Sequence, residues 1–143
     1  MQNNFDEKFN ISLLPLKEQE ASQLNAIELA YLGDTVYDLY VRSFLVKNDL
    51  GVISAIHQKA ADIVNARAQN KSFKQVFEIL TEQEKEVFTR GRNAKSSVPK
   101  NMTVNDYRHA TGFETLIGYL YITGKKSRLD ELFKIILSDF FKE

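Results

Sequence analysis

Hydrophobic residues recur at helical spacing along most of the chain. The first apolar series follows the three- and four-residue spacing of an α-helix and predicts one long helix over about residues 22–48. Gly51 interrupts this series, and Ser54 is then the predicted N-cap of a helix that continues to about Arg67. A shorter helix is predicted over about residues 73–80.

The second half of the chain shows the same spacing, interrupted by one loop. Residues 91–102 have no periodicity and contain glycine, proline and asparagine, which predicts an exposed loop. Gly124 marks the predicted end of the helix that follows this loop. N-caps of three helices are predicted at Thr81, which would form a capping box with Glu84, at Thr103 and at Ser127. Because no alternating strand pattern competes with these series, the predicted fold class is all-α.

Length and composition indicate one domain in a reducing environment. The 143 residues suffice for one core, and we expect an N-terminal extension over residues 1–20 and the domain itself over residues 21–143. Cysteine is absent, which excludes disulfides and thiolate metal sites and fits a cytoplasmic protein. The polar, acidic N-terminus lacks the basic start of a signal peptide and the apolar run of a membrane anchor, so no membrane association is expected.

Charge is balanced over the whole chain but not along it. The 19 basic and 19 acidic residues cancel, so the molecule lacks the overall positive field of many nucleic-acid-binding proteins. Between residues 87 and 105, however, basic side chains occur without any acidic one. These are Arg90, Arg92, Lys95 and Lys100. The segment predicts a local basic surface, although simple solvation also accounts for a charged loop.

Two acidic residues stand beside unusual glycines in the helical series. Gly33 directly precedes Asp34, and a glycine inside a helix costs about 1 kcal/mol relative to alanine, which favours close approach of another backbone at this point. Glu114 lies in an otherwise apolar series, with Gly118 one turn later. Taken singly, each acid is explained by solvation or by an arginine partner, and each glycine by packing.

Both acidic motifs, in this order, resemble a known family. Leu-Gly-Asp at residues 32–34 and Glu-x-Leu-Ile-Gly at residues 114–118 resemble the two acidic motifs of the ribonuclease III catalytic domain. The Arg-Gly-Arg-Asn-Ala-Lys segment at residues 90–95, and the lack of residues for a double-stranded-RNA-binding domain, resemble the short bacterial branch called Mini-III ribonuclease. The resemblance covers about residues 23–137. It implies that residues 21–143 form a helical bundle like the ribonuclease III endonuclease domain.

This resemblance implies a magnesium-dependent endoribonuclease that cleaves double-stranded RNA. Asp34 and Glu114 are the implied catalytic residues and metal ligands, and Mn²⁺ is expected to substitute for Mg²⁺. Phosphodiester hydrolysis needs an activated water and neutralisation of developing charge, which hard cations held by carboxylates supply. The implied products carry 5′-phosphate and 3′-hydroxyl ends. The implied substrate is the precursor of 23S, the large-subunit ribosomal RNA.

The chain departs from the larger ribonuclease III enzymes at two positions. Those enzymes carry further acids where this chain has Ala30 and Thr111. Asp38 lies one turn after Asp34 and is a candidate outer acid, but its simplest role is an ion pair with Arg42. The reduced acid set is what the Mini-III branch would show.

Duplex RNA exposes phosphates and 2′-hydroxyls across a shallow minor groove, which a few cationic and amide side chains can hold without reading sequence. The basic segment offers such side chains. The predicted RNA-binding residues are Arg90, Arg92, Asn93, Lys95 and Lys100, with His57, Lys59 and Arg67 as lesser candidates. For the histidines, an ordinary surface or packed imidazole is the simpler interpretation.

A homodimer is predicted from the substrate and from the first long helix. The strands of a duplex are related by two-fold axes, so a symmetric dimer with one site per subunit would cut both strands with one geometry. The first helix also carries more large aromatic groups than one face of a small bundle requires. They are Tyr31, Tyr37, Tyr40 and Phe44, and core packing explains them as well as a dimer interface does.

Two other functions compete with the nuclease. One is a catalytically inactive domain of the same fold that binds RNA as a scaffold on the ribosome. The presence of Asp34 and Glu114 speaks against it. The other is a helical protein-interaction domain, which leaves the acid-free basic segment unexplained. A ribosomal protein is a further candidate partner, as a helper of cleavage.

Overall fold

The computed structural model describes residues 12–48 and 51–140, except for the side chains of residues 66, 67 and 139. Seven α-helices and one 3-10 helix account for most of these residues, and no strand occurs among them. The α-helices are α1 (Glu18–Ala21), α2 (Ala26–Lys47), α3 (Ile53–Val64), α4 (Ala66–Val76), α5 (Glu82–Asn93), α6 (Val104–Ile122) and α7 (Lys126–Phe140). The 3-10 helix is Phe77–Ile79. The all-α prediction is confirmed, and these ranges contain no double-stranded-RNA-binding domain.

Several predicted helix starts are confirmed by their capping bonds. The Thr81 hydroxyl accepts from the Glu84 backbone amide at 3.1 Å and the Glu84 carboxylate accepts from the Thr81 amide at 2.8 Å. Thr103 caps α6 by accepting from the Asp106 amide at 3.1 Å. The long first helix begins at an Asn25 cap, whose side chain accepts from the Ile27 amide.

Two predicted N-caps are wrong. Helix α3 begins at Ile53, before Ser54, because Gly51 takes a φ of 121° and leads through an extended Val52 directly into the helix. Helix α7 begins at Lys126, before Ser127, because Gly124 turns the chain with a φ of 73°. A glycine in the left-handed region thus sets each start without a side-chain cap.

Two predicted boundaries also move. The helix predicted to run from Ser54 to Arg67 ends at Val64, because Asn65 adopts an extended conformation and its side chain caps α4 through the Ala68 amide at 2.9 Å. The loop predicted from residue 91 begins at Ala94, since α5 continues to Asn93. Arg90 to Asn93 therefore occupy the last helical turn, where basic side chains complement the helix dipole.

The core lies around α2 and α6, which pack against each other over most of their length. Phe113 of α6 is fully buried and contacts the rings of Tyr37 at 6.1 Å and Phe73 at 4.7 Å between centroids. Phe73 of α4 stacks on Phe88 of α5 at 4.5 Å. These aromatic contacts join four helices into one cluster and hold α4 beside the middle of α6.

Residues 12–20 pack against the corner between α6 and α7. The Leu16 amide donates to the Ile122 carbonyl at 2.9 Å, and Glu18 pairs with Lys125 at 2.8 Å. The division of the chain into an extension and a domain at residue 21 stays a prediction, and residues 1–11 lie outside the described residues. Among the described helices, none combines the length and apolar content required to cross a bilayer.

Helices α2 and α6 touch backbone to backbone at a pair of glycines. A Cβ added to Gly33 would overlap the Glu114 carbonyl, and one added to Gly118 would overlap the Leu29 carbonyl. The side chain of Thr115 reinforces the crossing by donating to the Ala26 carbonyl at 3.1 Å. The close approach inferred from Gly33 is therefore present, and it brings Asp34 next to α6.

We predict that Gly33→Ala destabilises the protein although alanine is the better helix former. The added methyl would meet backbone atoms, which cannot rotate away, so an overpacking cost of about 3 kcal/mol or more is expected against a propensity gain of about 1 kcal/mol. Thermal unfolding measures the difference. Thr35→Ala, at an exposed position of the same helix, is the control and should leave the Tm close to that of the wild type. Equal Tm values for Gly33→Ala and wild type would contradict the close crossing.

Candidate active site

Asp34 and Glu114 line one small pocket of about 180 Å³. Asp34 is the residue after the crossing glycine of α2, and Glu114 is the residue of α6 whose carbonyl that glycine contacts. The glycine contact thus sets both side chains at the same point of the helix crossing. Asp34 is exposed, whereas Glu114 is half-buried. The structure therefore brings together the two acids that the sequence separates by 80 positions.

Electrostatics in this pocket are unfavourable to a second negative charge. Burial, together with a hydrogen bond and the charge of the Asp34 carboxylate, raises the pKa of Glu114 to about 8. Neither acid forms an ion pair with a basic side chain within the described ranges. The pocket consequently holds two carboxylates that share a proton or a cation.

The remaining walls of the pocket are neutral. They are formed by Val64, Gln69, Met102, Tyr107, Ala110 and Thr111. The Thr111 hydroxyl donates to the Tyr107 carbonyl at 2.9 Å, so its oxygen can still accept a hydrogen bond. Gln69, on α4, is 3% exposed. Helices α2, α3, α4 and α6 and the loop before α6 therefore contribute to the site.

The basic segment borders this pocket. The loop from Ala94 to Thr103 leads from α5 into α6, and Met102 near its end forms part of the pocket wall. The Ser96 hydroxyl lies 3.0 Å from the Tyr107 hydroxyl, which anchors the start of the loop to α6. Lys95 and Lys100 on this loop are exposed. The loop that carries both lysines thus reaches the pocket through Met102, and neither lysine pairs with either acid.

The helical part of the basic segment is placed differently. Arg90 donates to the Leu24 carbonyl at 2.8 Å, just before α2, so this guanidinium also supports the fold. Arg92 is half-buried, and its Nε lies 3.4 Å from the Asn93 side-chain oxygen. Both arginines and Asn93 remain predicted RNA contacts, but Arg90 has a structural partner that the sequence did not indicate.

Two of the lesser RNA-binding candidates, His57 and Lys59, do not line the pocket. His57 and Lys59 are exposed on α3, whose last residue, Val64, reaches the pocket wall. The side chain of Arg67 lies outside the described residues. Asp38 forms the predicted pair with Arg42 at 2.9 Å. That pair confirms the simpler role of Asp38.

Comparison with known proteins identifies the family. Residues 27–125 match the family model described as Ribonuclease III domain. The chain belongs to the ribonuclease III family. It is 41% identical over 123 residues to Mini-ribonuclease 3 of Clostridium tetani (85% of this chain, 82% of that protein). It is 44% identical over 117 residues to Mini-ribonuclease 3 of Enterococcus faecalis (80% and 89%).

A solved structure agrees with this assignment. The crystal structure of a protein from Fusobacterium nucleatum matches with a TM-score of 0.75 and 28% identity, over 83% of this chain and 96% of that one. The Mini-ribonuclease 3 relatives confirm the resemblance to the Mini-III branch. The chain is an endoribonuclease of the ribonuclease III type, a family that acts on double-stranded RNA.

The donor atoms of the pocket suit a hard divalent cation. Carboxylate oxygens without basic partners are ligands that Mg²⁺ prefers, and this family is generally dependent on divalent metals. No group of three or more histidine, cysteine, aspartate or glutamate side chains forms a metal site in the described ranges. Asp34 and Glu114 are therefore the two protein carboxylates that would hold such an ion, with water and phosphate completing its coordination.

Sequence reasoning missed Gln69, Met102 and Tyr107 as members of the site, and it noted Thr111 only as a lost acid. One signal for Gln69 was present. Gln69, Phe73 and Val76 occupy positions i, i+4 and i+7 of α4, and the two others are buried on its apolar face. A polar residue in such an apolar series indicates a buried polar side chain that requires a polar partner.

We predict that the metal-free enzyme loses stability as pH rises from about 5 to about 8. The pKa of Glu114 is raised on folding, so the folded state binds a proton that the unfolded state releases, and that advantage disappears as pH passes the folded pKa of about 8. Unfolding in denaturant at a series of pH values, with chelator present, measures this slope. Glu114→Gln should remove this component of the slope. An identical pH dependence in that variant would show that Glu114 does not titrate in this range.

Proposed function

We propose that this enzyme cleaves double-stranded RNA in a Mg²⁺-dependent reaction at Asp34 and Glu114, with Mn²⁺ able to replace Mg²⁺. The observation that supports it most is the convergence, in one pocket, of two carboxylates that pair with no basic side chain of the described ranges. We further propose cytoplasmic maturation of the 23S ribosomal RNA precursor, with 5′-phosphate and 3′-hydroxyl products. The family resemblance supports this finer substrate, and a ribosomal protein would be the natural helper for it.

The chain's own residues define the chemistry. When bound, Mg²⁺ supplies a water of lowered pKa and neutralises charge on the phosphate oxygens. Asp34 and Glu114 hold the ion, and Glu114 must first lose the proton that its surroundings favour. Because only two carboxylates are available, ion binding in the free enzyme should be weak and should strengthen when a phosphate enters. The neutral walls leave room for that phosphate without adding a further negative charge.

The loop is proposed to hold the RNA backbone. Lys95 and Lys100 are exposed beside the pocket, and the Ser96–Tyr107 contact limits how far the loop can move away. Sequence-independent binding through phosphates fits a short loop with few donors. The basic segment therefore keeps the scissile phosphate near two carboxylates that would otherwise repel it.

Asp34→Asn and Glu114→Gln should each abolish cleavage while folding and duplex binding persist. Either change keeps size and removes the charge that holds the ion, because an amide oxygen is a poorer ligand for a hard cation. Loss of one such ligand is expected to slow cleavage by on the order of 100-fold or more. Cleavage of a labelled RNA duplex at fixed Mg²⁺, with binding measured in Ca²⁺, separates the two steps.

Asp38→Asn is the matched control, since Asp38 lies one turn from Asp34 and pairs with Arg42. It should cut at close to the wild-type rate. Wild-type cutting by either pocket variant would contradict the two-carboxylate site. A pure wild-type enzyme that binds the duplex but does not cut it with Mg²⁺ or Mn²⁺ would instead favour the ribosomal scaffold.

Neutralising the loop should weaken RNA binding and reduce its dependence on salt. In the variant carrying Arg92→Gln, Lys95→Gln and Lys100→Gln, the log–log salt slope should fall by roughly 0.7 to 0.9 per lost phosphate contact. Arg90 is left intact because it donates to the Leu24 carbonyl. A triple Gln variant at the exposed residues Lys17, Lys74 and Lys126 removes the same charge elsewhere. Equal slopes for both variants would exclude the loop as the RNA surface.

A homodimer is supported by an apolar groove between α2 and α7. The groove has a volume of about 840 Å³ and includes Tyr40 and Phe44 of the predicted aromatic series, together with Leu39. Tyr40 stacks on Phe133 at 4.2 Å, and burial, with its bond to Asp130, raises its pKa to about 12. Tyr37, in contrast, belongs to the core, and Tyr31 is 74% exposed outside the groove. The aromatic series is thus divided between core and surface.

Sedimentation should report about twice the chain mass for the wild type. Leu39→Glu places a charge on a groove residue that is 57% exposed, and it should shift the enzyme toward monomer. Ile53→Glu, at a position 78% exposed and away from the groove, should not. A wild type that remains monomeric at micromolar concentration yet cuts both strands would refute the dimer proposal.

A further inference from the structure

Gln69 is a buried polar side chain without a hydrogen-bond partner. It is 3% exposed, and its carboxamide forms no hydrogen bond within the described ranges. Among the described residues, the fully enclosed polar side-chain atoms without a partner are Asn70 Oδ1 and Ser72 Oγ, so the Gln69 carboxamide keeps access to open space. Gln69 forms part of the wall of the Asp34–Glu114 pocket. The polar group that satisfies it must therefore come from what enters this pocket.

The position of Gln69 is fixed from both sides along α4. Asn65 caps the helix start through the Ala68 amide, and the Asn70 side chain donates to the Asp106 carbonyl of α6 at 3.0 Å. One turn later, Phe73 packs on Phe113 at 4.7 Å between ring centroids. The backbone of Gln69 thus cannot move away from the pocket without breaking the attachment of α4 to α6.

The donor atoms of the pocket indicate how the Gln69 carboxamide could act. Two carboxylates provide the charged oxygens, and the described residues supply no third acid. A carboxamide oxygen is a neutral ligand of the kind that hard cations accept, either directly or through a bound water. A neutral donor also avoids the further repulsion that a third carboxylate would impose on Glu114 and on the RNA phosphate.

We propose that the carboxamide of Gln69 is the third oxygen donor toward the divalent cation held by Asp34 and Glu114. This inference rests on the proposed function. Gln69 then orients the ion, or a water bound to it, for the phosphate that enters the pocket. It contributes no charge of its own, so its effect is on the affinity and placement of the cation.

Mn²⁺ binding to the free enzyme, followed by electron paramagnetic resonance at pH 8 without RNA, tests this role. Gln69→Met removes both polar atoms at nearly constant volume and should weaken Mn²⁺ binding about three- to tenfold while leaving the Tm equal or higher. Gln69→Glu should strengthen it by about tenfold, because a carboxylate replaces an amide beside the same ion. Gln75→Met, at an exposed position of α4, should change neither value.

The result that overturns the inference is unchanged or weaker Mn²⁺ binding in Gln69→Glu, or unchanged binding in a folded Gln69→Met. If Gln69→Met fails to fold, Gln69→Glu alone decides. Asp34→Asn and Glu114→Gln measured in parallel separate the two claims. If these two lose Mn²⁺ binding but the Gln69 variants do not, only the role of Gln69 is wrong. If none of the four variants changes binding, the metal site of the proposed function is wrong as well.

Discussion

The backbone contact between α2 and α6 is the constraint on which the rest of the structure depends. Gly33 and Gly118 remove the side chains that would hold these helices apart, and no other residue fits at either position. The contact costs helix propensity and is compensated by burial along both helices. Because Asp34 directly follows one contact residue and Glu114 supplies the carbonyl it touches, the same contact that packs the core also assembles the site.

Bringing Asp34 and Glu114 together creates a pocket in which two neighbouring carboxylates repel each other and favour a proton or a cation between them. Without a cation, burial and the neighbouring Asp34 favour a protonated Glu114, as its raised pKa shows. A divalent ion held by both carboxylates, as proposed, would remove this penalty, so that ion binding and the helix crossing would stabilise each other. The loop that starts after Asn93 adds positive charge at the rim of the pocket but none inside it. RNA attraction and ion binding are thereby kept on separate residues.

The periodicity of hydrophobic residues was sufficient to predict the all-α fold class. The order of the two acidic motifs was sufficient to select Asp34 and Glu114 as the candidate site. Cap chemistry located α5 and α6 because Thr81 and Thr103 bond within their own first turns. Cap chemistry misplaced the starts of α3 and α7. These starts depend on the positive φ angles of Gly51 and Gly124, which the pattern of side chains does not predict. The structural bond of Arg90 to Leu24 and the pocket position of Gln69 were missed for a related reason. Both depend on contacts between segments far apart in the chain.

The central claim is that the helix crossing makes Asp34 and Glu114 a single cation site. A crystal structure of the enzyme bound to an RNA duplex, cut or uncut, in Mn²⁺, with anomalous diffraction data, measures this directly. The account predicts an anomalous peak in the pocket, within coordination distance of an oxygen of each carboxylate and of a phosphate oxygen. A peak bound by only one of the two acids, or Mn²⁺ located only elsewhere on the enzyme, would contradict it.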